Sequence, residues 1–169
     1  SVDHPAIVRV LDFGQEAESP VLVMEWVDGR SLSALLASGA MPPEKACPLL
    51  AQLAGGLAAV HEKGLVHRDL CPENVMVSTE ANVVTVRLVD FGLAKLLDID
   101  PMATMIGGQV ASVAGRPPYL APEQCAGKPI SSAVDLYAFG VVAYQVLAGS
   151  LPFPGPGRDA FMRQHLEAP

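Results

Sequence analysis

The sequence predicts an α+β chain, mainly helical, with two strands at its start. Three observations lead there. Ala6 to Phe13 and Pro20 to Val27 are rich in Val, Leu and Ile and are separated by the polar stretch Gly14 to Ser19, the pattern of two strands and a turn. Apolar residues recur at helical spacing after Pro42, and an apolar run follows Ser132. Between these helices, Asp90 to Glu123 shows little periodicity, and a structureless stretch of that length in a compact domain is usually functional or disordered.

Composition narrows the function classes. The 169 residues are enough for one packed domain, and 50% hydrophobic with 17% charged residues argues against disorder. A formal charge of −7 argues against nucleic-acid binding, which rests on a basic surface. Cys47, Cys71 and Cys125 have neither disulfide nor metal-ligand spacing, which suits a reducing cytoplasm. The apolar stretch Leu136 to Ala148 contains Gln145 and is too short to span a bilayer, and no signal peptide is expected. The first residue is Ser, so the chain is expected to be a piece of a longer one.

Each element has its own signal. Ser31 to Ala37 reads as a short helix after Asp28-Gly29. Pro42-Pro43-Glu44 opens a long helix whose apolar positions are Ala46, Leu49, Leu50, Leu53, Leu57 and Val60. Pro48 and Gly55-Gly56 should bend it, Lys63-Gly64 should end it, and His61, one turn from that end, reads as a packed or capping histidine. Val75 to Ser78 and Val83 to Val89 look like strands joined across Glu80-Ala81-Asn82. Ser132-Ala133-Val134-Asp135 matches a capping box at the start of a helix running to Gly149, with Leu136, Phe139, Val142 and Val146 on its core side. Pro152, Pro154 and Pro156 form a stiff connector to a last helix at about Asp159 to Glu167. No repeat or linker divides the chain.

The chemistry concentrates in His67-Arg68-Asp69-Leu70-Cys71-Pro72-Glu73-Asn74, which puts an Asp and an Asn five residues apart on a loop after an apolar helix. Sixteen residues past Asn74, Asp90-Phe91-Gly92 ends a Val/Leu run, and Ala121-Pro122-Glu123 closes the aperiodic segment. Hard oxygen donors converging from two loops, with one spare carboxylate, suit a site where magnesium and a phosphate ester meet. In order, spacing and context these motifs resemble the catalytic core of a eukaryotic-like, bacterial-type serine/threonine protein kinase, over nearly the whole chain.

That resemblance implies a protein-kinase-like fold: residues 1–27 as the last N-lobe strands and hinge, and 28–169 as a C-lobe incomplete at its C-terminus. It implies ATP and Mg2+ as cofactors, a protein substrate, and phosphorylation of serine or threonine hydroxyls in a cytoplasmic signalling protein. Asp69 matches the catalytic base, and Asn74 and Asp90 match the metal ligands. Met24 matches the gatekeeper, Glu25, Trp26 and Val27 the hinge whose backbone binds adenine, and Met76 the floor of that site, supported by Val142 and Val146. Arg68 resembles the arginine that pairs with a phosphorylated activation segment, with Ser112 and Thr104 as phosphate-bearing candidates. His67, Phe91 and Val10 would belong to an apolar column crossing the lobes. Asp135 resembles the buried aspartate that accepts catalytic-loop N–H groups, and Glu123 the glutamate that pairs with a downstream arginine. Without that arginine, a buried carboxylate costs roughly 3–5 kcal/mol, so its corner is expected to be loose.

Two departures stand out. Cys71 stands where the family has a lysine that contacts the γ-phosphate, and Arg116 follows Gly115 where the family has threonine. Arg116 is therefore a candidate catalytic residue supplying the charge that Cys71 does not. No Gly-rich loop or Val-Ala-Ile-Lys strand is present, so the chain alone is expected to lack turnover, and its uncovered N-lobe strands to dimerise or aggregate. The alternative is a pseudokinase or inactive fragment acting as a binding module.

Overall fold

The computed structural model describes residues 2–16, 19–81, 83–90 and 115–167. Strand β1, Val10–Glu16, pairs antiparallel with β2, Ser19–Met24, with Phe13 opposite Leu22 and an irregularity between Val10 and Asp12. Both strands differ from the sequence expectation. Gly14 to Glu16 belong to β1 and not to the turn, and Ala6 to Val8 leave the hairpin altogether. Three consecutive residues without polar side chains, Ala6-Ile7-Val8, are stabilised by burial on all sides, not on one face of a two-stranded ribbon.

They find that burial against a second sheet. Its three strands, β3 (Arg30–Ser31), β4 (Val75–Glu80) and β5 (Val83–Leu88), lie antiparallel in that order. The strand β3 carried no sequence signal, being two residues long. Val8 N donates to Leu88 O at 3.0 Å and Leu88 N to Ala6 O at 2.8 Å. Farther along β5, the Gln52 side chain donates to Val84 O at 2.9 Å and accepts from Val86 N at 3.1 Å. An edge whose N–H and C=O groups would otherwise be open is thereby occupied.

Helix α1, Leu32–Leu36, is capped by Ser31 Oγ, which accepts from Ala34 N at 3.2 Å. Helix α2, Pro43–Glu62, buries Ala46, Leu49, Leu53, Leu57 and Val60, while Leu50 is only partly buried against that core. At its end Gly64 takes φ +67°, Leu65 N reaches Val60 O at 3.3 Å and Gly64 N reaches His61 O at 2.9 Å. This is the Schellman arrangement, for which a left-handed glycine is best suited. It turns the chain from the helix into the loop at His67.

The helix Ala133–Ala148 corrects two expectations. Ser132 makes no side-chain cap, and its backbone is already helical; Ser131 Oγ accepts from Ala133 N at 3.3 Å instead. The Asp135 carboxylate is engaged elsewhere, so the capping box does not form. Leu136 is 59% exposed, and the core face carries Val134, Ala138, Val141, Val142 and Val146. Phe139 packs partly buried against the core, as expected of that face. The final helix, Arg158–Glu167, agrees with its expected span. Among the described residues no helix is long and apolar enough to cross a membrane.

One buried histidine ties the last helix to the site region. His165 Nδ1 lies 2.6 Å from the Tyr137 hydroxyl, and its Nε2 lies 3.1 Å from Pro117 O. Burial pushes its pKa below 6.5, so the neutral ring, donating from Nε2 and accepting at Nδ1, is the folded form. A lowered folded-state value means that this contribution to stability is complete above about pH 6.5 and lost as pH falls below it. The melting temperature should drop between pH 7.5 and 5.5, and His165→Gln should shrink that drop; an unchanged drop in the variant would rule His165 out as its source.

The hairpin leaves Val10, Leu11, Phe13, Val21, Val23 and Trp26 exposed, the last at 90%. Exposed apolar side chains on a hairpin with open edges favour association. The chain should therefore self-associate and bind apolar dyes, whereas a monodisperse monomer by light scattering at high concentration would contradict this.

Candidate active site

The loop after α2 is held by a single carboxylate. Asp135 is buried, its Oδ2 accepts from His67 N at 2.8 Å and its Oδ1 from Arg68 N at 2.8 Å. His61 Nε2 lies 2.8 Å from the same Oδ2. The packed histidine expected from the sequence is there, with a partner its position did not suggest. Charge-assisted bonds of this type offset the cost of burying a carboxylate.

These anchors hold Arg68 at φ +71°, a left-handed conformation costing an ordinary residue roughly 1–2 kcal/mol. Arg68 O also accepts from Gln124 Nε2 at 3.3 Å, and Gln124 Oε1 accepts from Ala121 N at 2.9 Å. Gln124 therefore fastens the Ala121-Pro122-Glu123 segment to the loop. Sequence reasoning missed that role, which spans 56 residues and leaves no local signature.

His67 is buried, and burial lowers its pKa despite the nearby Asp135. Its Nδ1 accepts from Asp69 N at 3.3 Å, so Nε2 carries the proton and donates to Val89 O at 3.2 Å. The loop is thus joined to the end of β5, one residue before Asp90. Asp90 takes φ +59°, so two strained non-glycine residues flank this region.

Asn74 lies in the 3-10 turn Pro72–Asn74. Its Nδ2 donates to Asp69 O at 2.8 Å and to Asp69 Oδ2 at 3.1 Å, and its backbone O accepts from Val89 N at 2.9 Å. With the amide nitrogen occupied, the amide oxygen is the atom left for a cation. That oxygen and the Asp90 carboxylate are hard donors of the kind magnesium takes. Among the described residues no group of three or more His, Cys, Asp or Glu could hold a metal alone. Were a cation to bind beside these two donors, phosphate and water oxygens would have to complete its shell.

Gly115 closes the site from the other side with φ +113°, and a Cβ there would lie 2.8 Å from Leu120 and 3.9 Å from Asp69 Oδ1. Arg116 follows, with Nη1 2.6 Å from Glu73 Oε2. Cys71 is 0% exposed within the hydrophobic core, and burial pushes its thiol up to about 12, so it is neutral at physiological pH. The 3-10 turn Pro117–Tyr119 is held by the Tyr119 hydroxyl, which donates to Gln145 Oε1 at 2.7 Å.

The remaining expected residues fall as follows. Met24 ends β2, Glu25 N donates to Arg9 O at 3.0 Å, and the Glu25 carboxylate lies 3.6 Å from Arg9 and 3.8 Å from Arg87 on β5. Trp26 projects into solvent and Val27 is half-buried. Met76 sits on β4 opposite Arg87, and Val142 and Val146 are fully buried. Val10 is 44% exposed, so it joins no buried column: its strand pairs on one side only, with β2. Glu123 is half-buried, so the cost expected of a fully buried unpartnered carboxylate does not arise in full. Phe91, Thr104 and Ser112 lie outside the described residues.

Comparison with known proteins gives the family. Residues 1–168 match the protein kinase domain. The chain is 49% identical to the serine/threonine-protein kinase pkn2 of Myxococcus xanthus, covering 99% of this chain and 20% of that protein. It is 41% identical to PkaA of Streptomyces coelicolor, covering 98% of this chain and 30% of that protein. Against PknB of Mycobacterium leprae the identity is 35%, with 98% and 26% covered. The chain therefore spans between 20% and 30% of the length of these relatives.

The anchoring carboxylate can be tested directly. Asp135→Ala leaves two backbone N–H groups without acceptors and should cost about 3 kcal/mol or more, read from urea unfolding. A loss below about 1 kcal/mol would mean that the loop does not depend on it.

Proposed function

The chain belongs to the protein kinase family, and we propose that it forms the catalytic half of a serine/threonine protein kinase that transfers the γ-phosphoryl group of ATP to protein hydroxyls. The observation that carries this reading is the Asn74–Asp69 pair at 3.1 Å, on a loop locked by Asp135 beside Asp90. ATP with Mg2+ supplies the phosphoryl donor and neutralises its charge. The chain's own residues do the rest. Asp69 accepts the proton of the attacking hydroxyl and aims its lone pair. Asn74 and Asp90 offer oxygen ligands to the cation, and Asn74 also keeps Asp69 from turning away. The backbone of Glu25 to Val27, after Met24, would bind adenine above Met76.

Arg116 is assigned the charge placement that the buried, neutral Cys71 does not provide. Arg68 is assigned to pair with a phosphate on Ser112 or Thr104, with His67 and Phe91 as structural support, in a cytoplasmic enzyme acting within a longer protein. The neutral thiol at Cys71 favours a second reading, a binding module that retains the fold without turnover.

Asp69→Asn in the natural full-length gene product should lower phosphorylation of a serine-bearing protein substrate by roughly a hundredfold to ten-thousandfold. Nucleotide binding should be little changed. Equal rates for wild type and variant would remove Asp69 from the chemistry, and nucleotide binding with no transfer by the wild type would establish the binding module.

A further inference from the structure

Beside the candidate base, Arg116 ends a three-residue chain of contacts whose other two members, Glu73 and Ser33, have no role in the reading above. Arg116 Nη1 lies 2.6 Å from Glu73 Oε2, and the other carboxylate oxygen, Oε1, accepts from Ser33 Oγ at 3.1 Å. Three separate elements meet there: helix α1, the turn Pro72–Asn74 and the residue before Pro117–Tyr119.

The pair is a poor source of stability. Its side chains are 41% and 44% exposed, and solvent screens such contacts. Its value is geometric. Arginine carries a long, flexible stem, and its planar fork becomes directional only when one edge is fixed. Glu73 fixes that edge, and Ser33 keeps the carboxylate from rotating with it. Partial burial opposes ionisation of Glu73, yet its own backbone N–H, the Arg116 charge and hydrogen bonds from Ser33 and the Cys71 thiol hold its carboxyl below the usual range. Arg116 in turn lies within electrostatic reach of Cys71 and Asp69.

We propose that Glu73, backed by Ser33, is a positioning residue that aims the free edge of the Arg116 guanidinium at the space beside Asp69. The inference deepens the phosphotransfer reading and rests on it for the use made of the charge. A plain surface ion pair would leave the arginine free to reorient without consequence.

Two measurements test it. In the 169-residue chain, nitrogen NMR of the Arg116 guanidinium, assigned by its loss in Arg116→Thr, should show hindered rotation. Glu73→Gln should release it, and Ser33→Ala should release it in part. In the natural full-length gene product, Glu73→Gln should lower kcat roughly two- to fivefold, with KM for ATP within about twofold. The same change should add nothing once Arg116→Thr is present. A freely rotating guanidinium in the unaltered chain overturns the proposal, as does a kcat loss from Glu73→Gln that is undiminished in the Arg116→Thr background. A wild type that transfers no phosphate overturns the phosphotransfer reading alone, and the NMR result still decides whether Glu73 holds the arginine.

Discussion

The carboxylate of Asp135 is bonded to two successive backbone N–H groups, His67 and Arg68, each at 2.8 Å, with His61 Nε2 2.8 Å from one of its oxygens. Those contacts join the helix Ala133–Ala148, the end of α2 and the start of the loop. A buried anion is costly unless its lone pairs are filled, so this arrangement is stable only when all three elements are in place. The loop cannot relax independently of the helical core. The left-handed turn at Arg68 is retained because two N–H groups would otherwise lose a charged acceptor.

Rigidity then passes outward by short steps. His67 reaches Val89 O, Asn74 O receives Val89 N, and Asn74 Nδ2 grips Asp69 through both carbonyl and carboxylate. Gln124 reaches back to Arg68 O from the far side of the segment that begins at Asp90. Asp69 thus rests on a loop whose backbone is tied to a sheet, a helix and the Ala121-Pro122-Glu123 corner. Preorganisation of this sort is what a site needs when its work is placement and charge, not covalent chemistry.

The legible parts of the sequence were those with local signals. The period of α2, its Lys63-Gly64 end and the spacing of Asp69, Asn74 and Asp90 could all be read along the chain. The missed parts depend on contacts between distant residues. Gln124 with Arg68, Ser33 with Glu73 and Tyr137 with His165 are separated by 56, 40 and 28 positions, and nothing near either partner announces the other. Leu136 was misplaced because the Ala133–Ala148 helix is apolar on most sides, so periodicity does not single out the buried face. The capping box failed for an energetic reason: Asp135 has the sequence position to cap its own helix, but the loop offers two N–H donors and an imidazole. Ala6-Ile7-Val8 read as part of the hairpin because a short apolar run does not say which sheet will bury it.

Cys71 shows how burial constrains chemistry at a single position. Its side chain is 0% exposed within the hydrophobic core, with its thiol bonded to the Glu73 carboxylate, and a charged replacement would have to be desolvated there. A cation for the region beside Asp69 is more readily supplied from across the loop, by a residue whose stem already lies at the surface. Arg116 meets that condition, and the Glu73 carboxylate gives it a fixed partner at 2.6 Å. In the phosphotransfer reading proposed above, the charge beside Asp69 would therefore come from Arg116, on the partly exposed side of the loop, and not from the buried position 71.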